Sequence, residues 1–264
     1  MRPGQYRRRG IYLLPAMLTV ANLFCGFSSL IQSSLGALEV SAILIILAGV
    51  LDGLDGRIAR LTGTTSAFGL EFDSLADIVS FGLAPSLLAF HWALHSAGRI
   101  GWMVTFLFVV CMAMRLARYN TQTSATLDRR FFLGLPSPMA GGLLACLVFA
   151  FPGKGEESWA PLAVAPVVFA LSMLMISKLR YRSFREFDLR RSSYVYILPL
   201  AAILAAVAMY PRAVPLILAV VYLISAPTDY LWGVLVRRHR EPQTAQVAGP
   251  AAIGSEVADE PSLR

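Results

Sequence analysis

Uncharged apolar runs of membrane-spanning length recur along almost the whole chain, and they constrain its fold more than any other feature. A bilayer core takes roughly 20 consecutive apolar residues as one helix, because every backbone N–H and C=O there must be satisfied within the segment. Hydropathy places eight such segments near 11–33, 39–60, 73–95, 100–119, 138–152, 160–177, 195–210 and 213–235, the fifth of them short. Composition agrees. Of 264 residues, 56% are hydrophobic and 15% charged, against roughly 25% charged in a soluble domain. The sequence predicts an all-α, polytopic transmembrane helical bundle over residues 1–235. The rest, 236–264, reads as a disordered cytoplasmic tail, since from Glu241 onward it is Ala/Pro/Gly/Glu-rich with few large apolar residues.

Basic residues precede the first apolar run, but its length and the spans that follow make it an uncleaved first helix rather than a signal peptide. Cys25, Cys111 and Cys146 all fall in apolar segments, so they read as packing residues and not as a disulfide framework. With both termini placed in the cytoplasm, nineteen Lys and Arg gather near the cytoplasmic ends of the spans, against Arg99, Lys154 and Arg212 on the other side. That asymmetry is the positive-inside bias. The net charge of +7 therefore belongs to a face beside anionic lipid headgroups, and nucleic-acid binding is excluded as its explanation.

Within this apolar chain lie four aspartates, Asp52, Asp55, Asp73 and Asp77, in the run LDGLDGRIARLTGTTSAFGLEFDSLADIVSFGLAP. Carboxylates at membrane depth are costly and mark function. The topology puts the first pair in the last turns of span two and the second pair in the first turns of span three. Both pairs then share one cytoplasmic depth. Spacings of three and four place each pair on one helix face. Gly53 and Gly56 clear room beside the first pair.

Four carboxylates cannot share a partly dehydrated pocket as bare anions. Hard oxygen ligands with no Cys or His nearby favour Mg²⁺, Mn²⁺ or Ca²⁺, and two such ions suit displacement at phosphorus. Thr64, Thr65 and Ser66 in the intervening loop, with Arg60, supply groups for phosphate oxygens. A cation-coupled transporter is the rival from another class. Transporters bind ions at helices broken near the midplane, whereas these aspartates sit at helix ends.

The pattern Asp52-x2-Asp55-Gly56-x2-Ala59-Arg60-x8-Gly69-x3-Asp73-x3-Asp77 matches the signature of the CDP-alcohol phosphotransferase family at all eight fixed identities. Within that family, FDSLADIVSFGLAPS, LPAMLTVANLFCGF, RLARYN and GLPSPMAGG resemble the members that make phosphatidylserine from CDP-diacylglycerol. The resemblance covers residues 10–150 well and the last three spans loosely.

What this resemblance implies is a bacterial inner-membrane enzyme, commonly homodimeric, that transfers the phosphatidyl group from CDP-diacylglycerol to L-serine and releases CMP. Asp52, Asp55 and Asp73 would be ligands to two divalent cations, Mg²⁺ or Mn²⁺. Asp77 would be a further ligand or the general base on the incoming hydroxyl. Gly56, Arg60, Ser66, Thr65 and Gly69 would line the CDP-lipid site. Relatives often carry Pro-Asn where this chain has Pro15-Ala16, which leaves Thr19 and Asn22 as nucleotide contacts from the first helix. Another acceptor alcohol (glycerol 3-phosphate, inositol phosphate or choline) would use the same chemistry.

Serine needs a cation for its carboxylate. Arg115, Arg118, Arg129 and Arg130 lie on the correct face, and an Arg fork matches a carboxylate. Arg115 and Arg118 are preferred because they follow directly from the fourth helix. Ser137, in LPSP, either joins the serine pocket or, as slightly favoured, caps the helix that Pro138 begins. His91 and His95 have metal-ligand spacing but lie at the opposite membrane side, so they read as helix-end residues, with Trp92 and Trp102 as interfacial aromatics.

Overall fold

A computed structural model describes residues 4–63, 66–121, 131–155, 157–182 and 193–240. The chain divides into two units, Met1–Pro227 and Thr228–Arg264; of the second, the described part is helical through Arg240. The tail from Glu241 onward, expected to be disordered, lies outside the described residues, as do Thr64, Thr65, Arg129 and Arg130.

The described residues form eight helices at the eight expected apolar segments. They are α1 (Gly4–Ser34), α2 (Leu38–Thr62), α3 (Ala67–Ala97), α4 (Arg99–Thr121), α5 (Ser137–Ala150), α6 (Ala160–Ile176), α7 (Ser193–Met209) and α8 (Ala213–Arg240). Three stretches, Pro15–Ser34, Ala67–Ala97 and Arg99–Thr121, are long and apolar enough to cross a membrane by length and composition. One antiparallel ribbon adds to the helical architecture: β1 (Phe131–Leu133) pairs with β2 (Arg180–Arg182), with Phe132 opposite Tyr181.

Three boundaries differ from the hydropathy reading by five residues or more. Helix α1 begins at Gly4 rather than near 11. Helix α3 begins at Ala67 rather than near 73, because Ser66 sits in an extended conformation and its hydroxyl accepts the Gly69 N–H at 3.0 Å. That is an N-cap, which starts a helix before its apolar stretch does. Helix α8 runs to Arg240, five residues past the expected end at 235.

Helix α3 is continuous but widens to π-helical turns at Ile78–Leu83 and Phe90–Leu94. Pro85 cannot donate to the Phe81 carbonyl one turn back, and its ring would clash there; the wider turn before it absorbs the ring. Around α3 lies the core, whose fully buried side chains include Ile45, Phe81, Leu88, Phe108, Met112, Leu144 and Leu171.

Two glycines set how closely neighbours approach α3. A Cβ on Gly26 of α1 would lie 2.7 Å from the Ser80 Cα, and one on Gly141 of α5 would lie 2.8 Å from the Phe81 oxygen. Both meet α3 one turn beyond Asp77. Trp92, expected as an interfacial aromatic, is instead buried, and its indole donates to the Phe151 and Pro152 carbonyls at 3.1 and 3.2 Å. An apolar ring with one donor can be buried wherever a backbone carbonyl meets it. Trp102 is 71% exposed.

Candidate active site

The end of α2 and the start of α3 bring three of the four aspartates into one cluster. One carboxylate oxygen each from Asp52, Asp55 and Asp73 lies within 4.8 Å of the others. Asp55 and Asp77 are buried, at 4% and 7% exposure. Asp77 stands one turn past Asp73, outside that three-way cluster but within the electrostatic reach of Asp52, Asp73 and Asp55, with Arg115 as the opposing cation.

Anions this close are stable only if neutralised. The donor set is all carboxylate, without Cys or His, and the buried Asp77 Oδ1 finds no hydrogen-bond partner among the described residues. Such a set fits a hard divalent cation.

Thr19 of α1, expected to touch the nucleotide, donates its hydroxyl to Asp55 Oδ2 at 3.1 Å. It thus holds a candidate ligand in orientation, as outer-shell partners do around metals. Asn22, one turn further along α1, is fully buried, and both atoms of its side-chain amide lack partners among the described residues. Its backbone carbonyl accepts the Ser80 hydroxyl at 3.0 Å. A buried amide left unsatisfied is costly, so Asn22 keeps its place as a candidate for ligand contact.

Along α2, the Arg60 guanidinium folds back over Gly56, where an added Cβ would sit 3.5 Å from Nη1. Among the described residues, nothing lies within 4 Å of a Cβ on Gly53. Gly69 is close to Ser66, 3.1 Å from its hydroxyl to an added Cβ. The Ser66 hydroxyl already caps α3, with room for a second acceptor or donor role.

The expected serine-binding residues separate. Arg115 is buried and donates from Nη1 to the Ser137 hydroxyl at 2.8 Å; that hydroxyl is 3.5 Å from Asp77 Oδ2, at the outer limit of a hydrogen bond. The Arg115 Nε has no partner among the described residues. Ser137 therefore does not cap α5, whose cap position is Pro136 with no side-chain bond; its hydroxyl is taken by Arg115 and Asp77 instead. Arg118 spends its fork on the backbone, donating to the Ile176 and Leu133 carbonyls at 3.1 and 3.3 Å. It ties the end of α6 to the ribbon.

Sequence reasoning missed the contact that steadies the start of α3. The Asn120 amide donates to the Ser74 hydroxyl at 3.0 Å and to Glu71 Oε2 at 3.2 Å. Ser74 lies between Asp73 and Asp77, so α4 braces the helix that carries both. The signal was present in RLARYN, whose terminal Asn is a polar residue at a helix end, but pairing needs the fold.

Comparisons with known proteins agree with this geometry. The profile of the CDP-alcohol phosphatidyltransferase family matches residues 12–185. A CDP-diacylglycerol–serine O-phosphatidyltransferase of Helicobacter pylori is 38% identical over 189 residues, 71% of this chain and 79% of the relative. Proteins of the same name from Mycobacterium leprae and Bacillus subtilis are 32% identical over 235 residues (86% of this chain, 77% of the relative) and 36% identical over 174 residues (66% of this chain, 92% of the relative). With the matched segment carrying every aspartate of the cluster, the chain belongs to the CDP-alcohol phosphatidyltransferase family.

Proposed function

We propose that the protein transfers the phosphatidyl group of CDP-diacylglycerol to the hydroxyl of L-serine, giving phosphatidylserine and CMP. The observation that carries this is the buried Asp77, next to the three-carboxylate cluster and joined through the Ser137 hydroxyl to the buried cation Arg115. One site thus offers phosphate chemistry, a proton acceptor and a carboxylate receptor. The relatives named above carry this activity in their names.

Two divalent cations, Mg²⁺ or Mn²⁺, held by Asp52, Asp55, Asp73 and Asp77, would neutralise the diphosphate and stabilise CMP as it leaves. Asp77 accepts the proton of the serine hydroxyl through Oδ1, while Ser137 donates to Oδ2 and fixes the carboxylate. The serine oxygen then bonds to the phosphorus bearing diacylglycerol, and the phosphoanhydride bond to CMP breaks. Arg115 receives the serine carboxylate. Gly56, Arg60, Thr65, Ser66 and Gly69 form the CDP side, with Asn22 beneath it. Thr19 orients Asp55. Water must be kept from the phosphorus, and the buried setting of Asp55, Asp77 and Arg115 serves that end.

In this reading the eight helices are spans, with residues 1–235 as the membrane domain and 236–264 as a tail. Both termini and the site face the cytoplasm of a bacterial inner membrane, and the protein is a homodimer. The basic bias of one side supports the orientation. Outward-facing apolar side chains such as Phe24, Phe27, Phe106 and Leu162 support a lipid or subunit neighbour.

The test is CMP release by the purified protein with CDP-diacylglycerol, Mn²⁺ and a panel of acceptors. Serine alone should support it. Equal release with glycerol 3-phosphate, inositol phosphate or choline would remove the serine assignment.

A further inference from the structure

Serine brings three groups to a site, and its ammonium is the one still without a partner. Its hydroxyl meets Asp77 and its carboxylate meets Arg115. An ammonium drawn partly out of water is costly unless it is paired and hydrogen-bonded. The cluster Asp52, Asp55 and Asp73, with Asp77, is committed to divalent cations. Among the described residues, the other carboxylates are Glu39, Glu71 and Glu157. Glu39 begins α2, at the end opposite Asp52 and Asp55, and Glu157 lies in the turn before α6. Glu71 stands two residues before Asp73.

The Glu71 side chain is exposed, yet it is held in place. Asn120 Nδ2 of α4 donates to Glu71 Oε2 at 3.2 Å and to the Ser74 hydroxyl at 3.0 Å. The Ser74 hydroxyl has one proton, and the Leu70 carbonyl at 3.0 Å is a closer acceptor for it than Asn120 Oδ1 at 3.3 Å. Asn120 Oδ1 therefore keeps acceptor capacity, and the Glu71 carboxylate has lone pairs beyond the one that Asn120 uses. A charged acceptor and a neutral one thus adjoin each other, each oriented by the other.

Two links join α3 to α4 on this side. Asp77 and Arg115 are connected through the Ser137 hydroxyl, and Ser74 meets Asn120 directly. Ser74 precedes Asp77 by three residues and Asn120 follows Arg115 by five. At about 1.5 Å per residue the links are roughly 4.5–7.5 Å apart along the helices. One small amino acid with its hydrogen bonds fills such a gap. With hydroxyl and carboxylate at the inner link, the ammonium of serine is left for the outer one. That side is exposed, where a soluble zwitterion arrives.

We propose that Glu71 receives the ammonium of the incoming amino acid, with Asn120 holding its carboxylate in place and offering Oδ1 as a second acceptor. The proposal rests on the serine-transfer reading above. Arg115 and Glu71 then form a cation and an anion spaced for a zwitterion. An alcohol lacking either the amine or the carboxylate leaves one of them unpaired, which is how a polar site rejects a near-analogue.

The experiment follows radiolabelled serine into lipid, using the full chain in proteoliposomes at saturating Mn²⁺ and CDP-diacylglycerol, with 3-hydroxypropanoate as competitor. That molecule keeps the hydroxyl and carboxylate of serine and lacks the amine, so its inhibition constant reports the pocket without the ammonium contact. In wild type it should bind at least about tenfold more weakly than serine, the scale of one hydrogen bond to a charged group. Glu71→Gln still accepts from Asn120 but carries no charge. Its KM for serine should rise about tenfold, while kcat, the inhibition constant and the Mn²⁺ requirement stay within about twofold of wild type. Glu71→Ala should do the same. Equal binding of serine and 3-hydroxypropanoate by wild type overturns the proposal. So does an unchanged serine KM in Glu71→Gln, even if Glu71→Ala is impaired, because Glu71 would then only brace α3. A joint rise in serine KM and inhibition constant, or in the Mn²⁺ requirement, overturns it as well, since the whole site would have been disturbed. If wild type incorporates no serine at all, the serine-transfer reading itself has failed, and that outcome is distinct from the others.

Discussion

At the residue scale, the chemistry depends on how neighbours constrain a few carboxylates. The Thr19 hydroxyl lies 3.1 Å from Asp55 Oδ2 and 3.1 Å from the Pro15 carbonyl, and shares its proton between them. Thr19→Val should raise the Mn²⁺ concentration for half-maximal occupancy about tenfold, as loss of an outer-shell partner typically does; Mn²⁺ binding followed by paramagnetic resonance would show this apart from activity. Ser137 links Arg115 to Asp77. Ser137→Ala should reduce kcat about tenfold, because Asp77 loses its orienting donor and Arg115 its acceptor, and steady-state kinetics would register any smaller effect. The aspartates were legible in the sequence because charge in an apolar run is conspicuous. The role of Ser137 was not. Whether a serine after a proline caps a helix or reaches across to another depends on what lies opposite, and Arg115 lies 22 positions away in sequence.

At the element scale, α3 carries the site and its neighbours fix its position. Gly26 and Gly141 admit α1 and α5 against the π-helical turn that follows Asp77. Gly26→Leu would force side-chain atoms into the Ser80 backbone and should destabilise the protein by about 1–3 kcal/mol or more, the usual cost of overpacking. A thermal melt in detergent would detect it, and wild-type stability in that variant would mean that the helices can move apart freely. The eight helices were readable from hydropathy because each is an apolar run set apart from its neighbours by polar or charged residues. The early start of α3 was missed, since an N-cap serine lies outside the apolar stretch and hydropathy does not see it. The widened turns were missed as well, although Pro85 within an apolar run announces some adjustment. The ribbon could not be read, because strands of three residues have too little pattern to register.

At the scale of the whole molecule, the account is a membrane enzyme with a site at one face. Cysteine substitutions test the orientation. In intact cells, Ser96→Cys, at the end of α3 remote from the aspartates, should react with a membrane-impermeant maleimide. Thr62→Cys, at the end of α2 beside them, should react only after permeabilisation. The opposite pattern would invert the topology. The three native cysteines are buried, so the background should be low. Metal removal belongs at this scale too, since all four aspartates must be balanced together. Chelation with EDTA should abolish CMP release, and Mn²⁺ should restore it.

The most direct measurement is serine-dependent CMP release by Asp77→Asn against wild type, at saturating Mn²⁺ and CDP-diacylglycerol. Asparagine keeps the shape of the side chain and removes its basicity. The kcat should fall about 10³-fold, within the range that a positioned general base supplies, in a protein that still takes up Mn²⁺ at saturating concentration through Asp52, Asp55 and Asp73 and melts as wild type does. A rate within tenfold of wild type would contradict the base role of Asp77.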